Sequence, residues 1–331
     1  MVKKVYKLKF KKGTFFHFGE NFMSRTKYFF PSDSFVSALI NNYVNYLGDK
    51  QEKLIDSINS ISSVFFGIDL GEESIYFLPS SKIIKYNDDI VEENRKIPKK
   101  IKFISKGVLE LWNKEGKEGM NKVNLDFIDN YKFLILKEEM SLLKNKVRNF
   151  DDKIISDVLE QKVKLNYDED NDLFSIKSFS FNTKLDVFFY FLVDLEDVNT
   201  FEKSLEILIY AGGLGGRISS GKGLLDSYES FKLDFENEGD YYFLLGSYVP
   251  NDEEIKKNVF ENSKYNLSSR KGFVYGFDVK RKDCFVVEEG SVFNNEVKGD
   301  VVDLTPEGFG NFEIKRFCKP FFIKIRGDLN G

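Results

Sequence analysis

Apolar residues and lysines alternate in the first strand that the sequence predicts. Across residues 4–11, Tyr6, Leu8 and Phe10 alternate with lysines. Because neighbouring side chains of a strand point to opposite faces, this strand has one apolar and one basic face. We expect it in an RRM-like sheet, with the apolar side packed on helices and the basic side open to phosphate.

Apolar residues at helical spacing predict three helices. The first begins at Ser32, the second covers residues 54–65, and the third covers residues 201–209 with Asn199 and Glu202 as its capping pair. Short apolar runs predict strands, of which 187–193 is apolar enough to be buried on both faces. These runs are 75–78, 173–181, 187–193, 224–235, 241–245, 273–277, 284–287, 301–304 and 321–325.

The length of 331 residues favours two domains over one. We expect an N-terminal domain over residues 1–235 and a C-terminal, β-rich α+β domain over residues 236–331. Residues 87–172 are charge-rich, with an acidic run at 88–93, and they predict an irregular insertion in the first domain. The 35 Phe and 16 Tyr residues indicate an aromatic core.

The charge of the chain is acidic overall but uneven. A net charge of −4 is not the usual signature of a nucleic-acid-binding protein. However, residues 3–12, 96–106 and 314–326 are basic and contain no acid, which predicts basic grooves between acidic faces. No run approaches the roughly 18 apolar residues of a membrane span, so we expect a cytoplasmic protein without membrane contact. The distant Cys284 and Cys318 predict neither a metal site nor a disulfide framework, and no cofactor is expected.

A glycine-rich loop at residues 212–223 is the most informative segment of the chain. It concentrates six of the 24 glycines in twelve positions around one arginine and one lysine. Glycine allows close backbone approach, so convergent N–H groups and the two cations predict an anion site. The residues predicted to hold phosphate are Gly213, Gly215, Gly216, Arg217, Ser219, Ser220, Gly221 and Lys222.

Part of this loop also fits a nucleotide-binding motif. Residues 216–222 match the start of a Walker A sequence, but Gly223 stands where Ser or Thr should bind Mg²⁺. The predicted order of helix, loop and strand is the reverse of a P-loop. An NTP-binding protein is therefore one alternative, and a glycine-rich connector without a ligand is another.

Several further motifs occur in a consistent order along the chain. They are His17-Phe18-Gly19, residues 32–39 at the first helix, Arg270-Lys271-Gly272-Phe273, residues 289–293 and residues 299–303. With the glycine-rich loop among them, the chain resembles the RAMP subunits that cap the crRNA 5′ end in type III-A (Csm) CRISPR effector complexes. That family often closes with a His-Pro-x-Tyr-Arg-Tyr-Gly-like run, which this chain lacks, so only Arg316 of that segment is a candidate.

The resemblance implies an α+β fold of two ferredoxin-like, RRM-like domains with a thumb-like insertion in the first. It implies a non-enzymatic subunit that grips the crRNA 5′ handle and contacts the large Palm-domain subunit and the backbone RAMP subunits in antiviral defence. His17 and Phe18 would stack on or hydrogen-bond to a nucleotide. The remaining candidates outside the loop are Ser32 and Ser34, which would bind phosphate at a helix N-terminus, and Arg270 and Lys271, which would supply a cationic edge.

One enzymatic alternative concerns His17, the single histidine of the chain. RAMP proteins that process crRNA can use a histidine as general acid or base in RNA cleavage. A crRNA-processing endoribonuclease that uses His17 therefore remains open. No catalytic residue and no metal ligand is assigned otherwise.

Overall fold

The computed structural model describes residues 2–20, 22–85, 96–164, 172–235 and 238–327. The fold is a mixed α/β structure. Its strands are β1 (Val2–Lys9), β2 (Phe15–Phe16), β3 (Phe18–Glu20), β4 (Phe22–Lys27), β5 (Ile58–Ile61), β6 (Phe65–Asp69), β7 (Ser74–Pro79), β8 (Phe103–Ser105), β9 (Leu125–Ile128), β10 (Phe133–Leu136), β11 (Ile155–Lys164), β12 (Asp172–Phe181), β13 (Val187–Leu195), β14 (Ser227–Phe231), β15 (Tyr241–Leu244), β16 (Leu267–Arg270), β17 (Cys284–Val287), β18 (Val292–Phe293), β19 (Asp300–Asp303), β20 (Lys315–Cys318) and β21 (Phe322–Ile325).

Helices occupy both the N-terminal and the middle part of the chain. They are α1 (Ser32–Leu47), α2 (Gln51–Asp56), α3 (Ile97–Lys100), α4 (Lys106–Lys122), α5 (Lys137–Lys146), α6 (Val198–Ala211) and α7 (Asp252–Lys256). A single 3₁₀ turn, Ile218–Ser220, is assigned within the described part of the glycine-rich loop. The prediction that the first helix begins at Ser32 is confirmed.

One large sheet organises the molecule. Within the described ranges it has nine strands, in the order β14-β1-β13-β6-β7-β8-β10-β9, and β5 also pairs with β13. The central strand β13 runs antiparallel to both β1 and β6. Seven apolar residues and one aspartate of β13 are buried after a half-buried Val187, which confirms the prediction of a strand enclosed on both faces.

The two faces of this sheet bury separate cores. Tyr6 and Leu8 of β1 pack with residues of α1, α2 and α6 on one face. Val5 on the opposite face packs with Phe243 and Phe321 from the C-terminal part of the chain. The prediction of an open basic face on β1 is therefore wrong near Val5, because C-terminal strands cover it. Farther along, two lysines of the same face are in ion pairs, Lys7 with Asp69 and Lys9 with Glu229.

The predicted second helix is wrong over most of its length. Helix α2 ends at Asp56, and residues 58–61 and 65–69 form strands that pair with β13. Ile58, Ile61 and Phe65 fall at helical spacing, but they come from two consecutive strands that both run antiparallel to β13. Between these strands, the backbone N–H groups of Ser62 and Ser63 donate to the carbonyls of Leu192 and Leu245, so tertiary pairing overrides the local pattern.

The predicted irregular insertion is mostly regular where the structure describes it. Residues 86–95 and 165–171, including the acidic run at 88–93, lie outside the described residues. Between them, strands β8, β10 and β9 extend the main sheet through β7, and helix α4 buries Trp112. Strands β11 and β12 then form a hairpin over ten register pairs, which continues to β2 in a separate sheet. The prediction of irregular structure failed because charged surface residues are frequent in this segment and make the periodicity of its buried residues hard to recognise.

The C-terminal part contains small sheets that contact the large one. β15 pairs with β18 and β21, β16 with β17, and β19 with β20. The predicted strand at 273–277 is wrong, because the positive φ of Gly272 and Gly276 turns the chain there and leaves Tyr275 exposed. In the ranges described above, no helix combines the length and the apolar character that crossing a membrane requires.

Candidate nucleic-acid interface

Helix α6 and strand β14 position the glycine-rich loop. Asp197 is the N-cap residue of this helix, and its carboxylate accepts from the Thr200 N–H at 3.2 Å. The predicted Asn199–Glu202 cap is therefore wrong. It ends at Ala211, and the chain becomes extended again at Ser227. The predicted order of helix, loop and strand is confirmed. This order excludes the strand-to-helix arrangement that a P-loop needs.

The loop packs tightly against the segment between β2 and β3. Gly215 has φ 89°, and a Cβ there would lie 2.5 Å from the His17 carbonyl oxygen. Gly223 has φ 72°, and a Cβ there would collide with the carbonyl oxygen of Leu214. Both positions therefore require glycine for backbone shape and close packing within the protein.

Backbone N–H groups of the loop donate to carbonyls of the protein itself. The N–H of Gly216 donates to His17 O at 2.9 Å, and that of Gly223 donates to Phe15 O at 2.8 Å. The N–H groups of Ser220 and Gly221 donate to carbonyls of the loop itself at 2.9 and 2.8 Å. We predicted a nest of N–H groups converging on phosphate; these four groups instead satisfy carbonyls of the fold.

The two cations of the loop differ in accessibility. Lys222 is 7% exposed; its ammonium pairs with Glu160 and donates to Ser178 Oγ at 2.9 Å. This hydrogen-bonded pairing with Lys222 lowers the pKa of Glu160. Arg217 is half-buried, with its guanidinium 5.8 Å from the centre of the Phe174 ring. Lys222 is thus directed away from any phosphate on the surface, which argues against both its predicted role and a nucleotide site.

The hydroxyls of the loop are its most accessible polar groups. Ser219 and Ser220, together with Gly221, are exposed, whereas Gly213 is buried. The two serines lie in the 3₁₀ turn that follows Arg217, whose own φ of 65° is left-handed. Contact with an anion at this loop therefore depends mainly on Arg217, Ser219 and Ser220.

His17 and Phe18 lie beneath the loop and not on its surface. His17 is 6% exposed, and its Nδ1 lies 2.7 Å from Lys177 O, so Nδ1 carries the proton and donates. Its ring lies against Gly19 and Gly216, where a Cβ would be 3.1 Å from ring atoms. Phe18 is 1% exposed and packs in the aromatic core, so its ring cannot stack on a base without leaving that core.

A second polar site lies at the N-terminus of α1. It is a cavity of about 260 Å³ whose described lining includes six cations, and we call it the arginine cavity. The cations are Arg25, Lys27, Arg270, Lys271, Arg281 and Arg316. Ser34 and Gly19 also line it. The structure therefore brings together the candidate Ser34, the predicted cationic edge of Arg270 and Lys271, and the candidate Arg316. It joins them to the His17–Gly19 segment beneath the loop.

Asp33 is the buried counter-charge of this cavity. Its carboxylate accepts from Arg270 Nε at 3.0 Å, from Arg316 Nη1 and from Ser247 Oγ at 2.9 Å. Burial opposes ionisation of this fully enclosed carboxyl, but Arg270 and Arg316 outweigh it and lower the pKa of Asp33. The aspartate thus stays ionised and holds two arginines from the C-terminal part against α1.

Ser32 belongs to this internal network and not to the surface. It is 1% exposed; its Oγ accepts from Ser247 N at 2.8 Å, and its N–H donates to Ser63 Oγ at 2.8 Å. The predicted phosphate contact of Ser32 is therefore blocked by the packing of the C-terminal part. Ser34, two residues further along α1, is half-buried and lines the cavity.

The arginines of the cavity have more donors than the fold satisfies. Among the described residues, buried Arg270 Nη2, Arg281 Nε and Arg316 Nε have no hydrogen-bond partner. Burial, with the nearby charge of Arg316, lowers the pKa of Arg281 to about 10. Arg25, Lys27 and Arg281 are not indicated by the sequence, because the cavity is assembled from segments about 250 residues apart and no local motif joins them.

Two family models cover most of the chain. Residues 9–226 match the RAMP superfamily, and residues 237–325 match the CRISPR Csm4 C-terminal domain. A protein of Methanocaldococcus jannaschii described as "CRISPR system Cms protein Csm4" is 30% identical over 349 aligned positions. The alignment covers 92% of this chain and 89% of that protein.

Solved structures show the same relationship. A crystal structure of a Csm3-Csm4 subcomplex in the type III-A CRISPR-Cas interference complex contains a chain that matches with a TM-score of 0.70 at 27% identity. The match covers 98% of this chain and 99% of that chain. A Csm1-Csm4 cassette in complex with cA4 matches with a TM-score of 0.54 at 15% identity, covering 99% of both chains, and at that identity the likeness concerns the fold alone.

Proposed function

The chain belongs to the Csm4 family of RAMP proteins, which places it with the type III-A CRISPR (Csm) subunits, and from that premise we propose that it binds the 5′ handle of the crRNA. The observation that carries this proposal is the arginine cavity. Six cations line one cavity of a chain whose net charge is −4, so positive charge is concentrated where the fold can hold RNA phosphates.

The proposed interface runs from this cavity to the glycine-rich loop. Gly19 lines the cavity, and His17, two residues earlier, contacts Gly216 of the loop. An RNA strand along this path would meet Arg217, Ser219 and Ser220 at one end and Arg270 and Lys271 at the other. Single-stranded RNA suits such a path, because its phosphates and sugar hydroxyls are accessible outside a duplex.

The domain organisation is part of the same proposal. The strand order β14-β1-β13-β6, with α1 after β1 and α6 before β14, supports a ferredoxin-like N-terminal domain over residues 1–235. The boundary between the two family models supports a second domain over residues 236–331. By analogy with the Csm3-Csm4 and Csm1-Csm4 assemblies, this chain would link a backbone RAMP subunit to the large Palm-domain subunit, inside the cytoplasm.

We propose that this subunit does not cleave RNA. His17 is enclosed between two glycines, its Nδ1 donates to a backbone carbonyl, and no acidic or basic side chain among the described residues bonds its ring. A general acid or base must come within hydrogen-bond reach of the reacting oxygen, which this burial opposes. The position of His17 supports a structural role, in which it holds the loop against β3.

The test is to purify the tagged protein from its native host with the subunits bound to it and to sequence the associated RNA. The proposal predicts enrichment of crRNAs that begin with repeat-derived handle sequence, and no cleavage when the purified protein is incubated with repeat RNA. Recovery of RNA without handle sequence, or cleavage that His17→Ala abolishes, would show that the assignment is wrong. The same tag on an unrelated host protein provides the background.

A further inference from the structure

The arginine cavity carries an inference that rests on the proposed function and makes it more specific. We propose that one phosphodiester of single-stranded RNA completes this cavity, accepting from arginines that the fold leaves unsatisfied and bridging the two halves of the chain. The bound phosphate would thus stabilise the junction between the two halves as well as provide a contact to RNA.

The carboxylates around the cavity bond cations other than Arg281. Asp33 is bonded to Arg270 and Arg316, Glu288 pairs with Lys27 at 2.7 Å, and Lys271 pairs with Asp283 at 3.3 Å. The charge of buried Glu289 also acts on Arg270. Arg281 is half-buried and donates to the backbone carbonyl of Lys271 at 2.9 Å. A partly buried guanidinium that no described carboxylate bonds gains more from an incoming anion than a solvated surface arginine does.

The arginine N–H groups without a partner indicate which kind of anion the cavity would bind. Arg316 is 2% exposed, lines the cavity, and has a buried Nε without a partner. Arg270 Nη2 and Arg281 Nε are also buried and unpartnered within the described chain. Three donors from three different arginines suit the several oxygens of a tetrahedral phosphate better than a single carboxylate.

The origin of these groups explains why the anion would couple the two halves. Arg270, Arg281 and Arg316 belong to the C-terminal part, whereas Ser34, Gly19 and Arg25 belong to the N-terminal part. A phosphate bound between them contacts both. By linkage, a ligand that binds only the docked arrangement stabilises that arrangement, and RNA should therefore strengthen the junction.

The first experiment measures the thermal unfolding midpoint of the full chain in sodium phosphate and in sodium chloride of equal ionic strength. We expect a rise that follows the logarithm of the phosphate concentration above the Kd and reaches about 2 °C at roughly ten times the Kd. Phosphate also stabilises proteins by exclusion from their surface, but that effect grows roughly in proportion to the phosphate concentration.

The decisive variant is Arg281→Met, because Arg281 has no hydrogen bond or ion pair with Asp33 in the described structure and faces the charge of Arg316. It should unfold at the same or a higher temperature than the wild type in chloride and lose the logarithmic rise in phosphate. Arg148→Met, at an exposed arginine that does not line the cavity, is the matched control and should retain the rise. A logarithmic rise that persists in Arg281→Met, or its absence in the wild type, overturns the proposal.

The second experiment distinguishes RNA from free phosphate as the ligand. In the assembled complex, Arg281→Met should reduce the salt slope of single-stranded RNA binding by about 0.7, the contribution of one phosphate. A logarithmic phosphate effect that requires Arg281, together with an unchanged RNA slope, would assign the cavity to a free anion and overturn the RNA assignment. If Arg217→Ala weakens RNA binding and Arg281→Met does not, this inference fails while the proposed function survives; if the complex binds no crRNA, the proposed function itself fails.

Discussion

The glycine-rich loop and the arginine cavity are joined through residues 17–19, yet they satisfy their polar groups in opposite ways. The loop directs its N–H groups to carbonyls of its own fold and pairs Lys222 with Glu160. The cavity leaves three buried arginine nitrogens without a partner in the described chain. A segment rich in glycine and charge can therefore be packed into the fold, while the hydrogen-bond donors that could bind a ligand lie in another region.

The difference follows from where each site is encoded. The loop is one contiguous segment, and the positive φ of Gly215 and Gly223 fits it to residues 15–18, whose carbonyls accept from two of its N–H groups. The cavity lies between distant segments and contains one buried aspartate against several arginines. A cavity between two packed segments that are distant in sequence is a common place for a ligand to bind.

The largest expected effect is on the cavity. Asp33→Asn removes the carboxylate that two buried arginines share, and it should lower the free energy of unfolding by about 3–5 kcal/mol. Urea denaturation measures this loss. Asp283→Asn is the control, because the Asp283–Lys271 pair is exposed and such pairs contribute about 0–1 kcal/mol. Equal losses in both variants would contradict the role of Asp33 as the internal counter-charge.

The same carboxylate predicts a dependence of stability on pH. The folded-state pKa of Asp33 is lowered, so its contribution is fully present above the unfolded value of about 3.9 and is lost as pH falls further. The difference in unfolding free energy between wild type and Asp33→Asn should stay constant from pH 7 to about 5 and shrink below about 4. Urea titrations at several pH values test this, and a difference that shrinks already near neutral pH would contradict it.

A smaller effect is expected in the loop, where two glycines with positive φ form a matched pair. Gly221 has φ 78° and open space where a Cβ would lie, whereas a Cβ on Gly223 would collide with Leu214 O. Gly221→Ala should cost about 1 kcal/mol of stability from backbone strain, and Gly223→Ala should cost more because of the collision. Equal costs in thermal or urea unfolding would mean that the loop is not packed as a framework.

The smallest effect separates the two cations of the loop. Arg217→Ala should reduce the salt slope of single-stranded RNA binding by about 0.7, because one phosphate contact is lost. Lys222→Met should leave that slope unchanged, because its ammonium is already paired with Glu160. Titrations of the assembled complex at several salt concentrations measure both. A reduced slope in Lys222→Met would restore this lysine as a phosphate ligand.

The sequence predicts the backbone around the loop well. Helix α1, the buried strand β13, and the helix-loop-strand order of residues 198–231 follow from periodicity and start signals. Local patterns failed where tertiary contacts decide, as at Ile58 and Ile61, whose strand pairs with β13. The cavity could be predicted only in part. Its candidates from the sequence are Ser34, Arg270, Lys271 and Arg316, but nothing in the sequence places them beside Arg25 and Arg281.

Burial explains the candidates that changed role. Phe18, Ser32 and Lys222 have the residue types that contact RNA, and the sequence gives no measure of their exposure, which is 1%, 1% and 7%. Each is enclosed by a segment remote in sequence: Phe18 by Phe179, Ser32 by Ser247, and Lys222 by Glu160. A sequence motif indicates the region of such a site, and the burial of each residue determines whether that residue can contact a ligand.

The most direct test of this account is photo-crosslinking of crRNA carrying 4-thiouridine in its 5′ handle, in the assembled complex, followed by mass spectrometry of the peptides. We expect crosslinks to the glycine-rich loop, residues 212–223, and to residues 268–281, which include Ser268, Arg270, Lys271 and Arg281 of the cavity lining. Handle crosslinks confined to other surfaces of this chain, such as helix α5 at Lys137–Lys146, would contradict it.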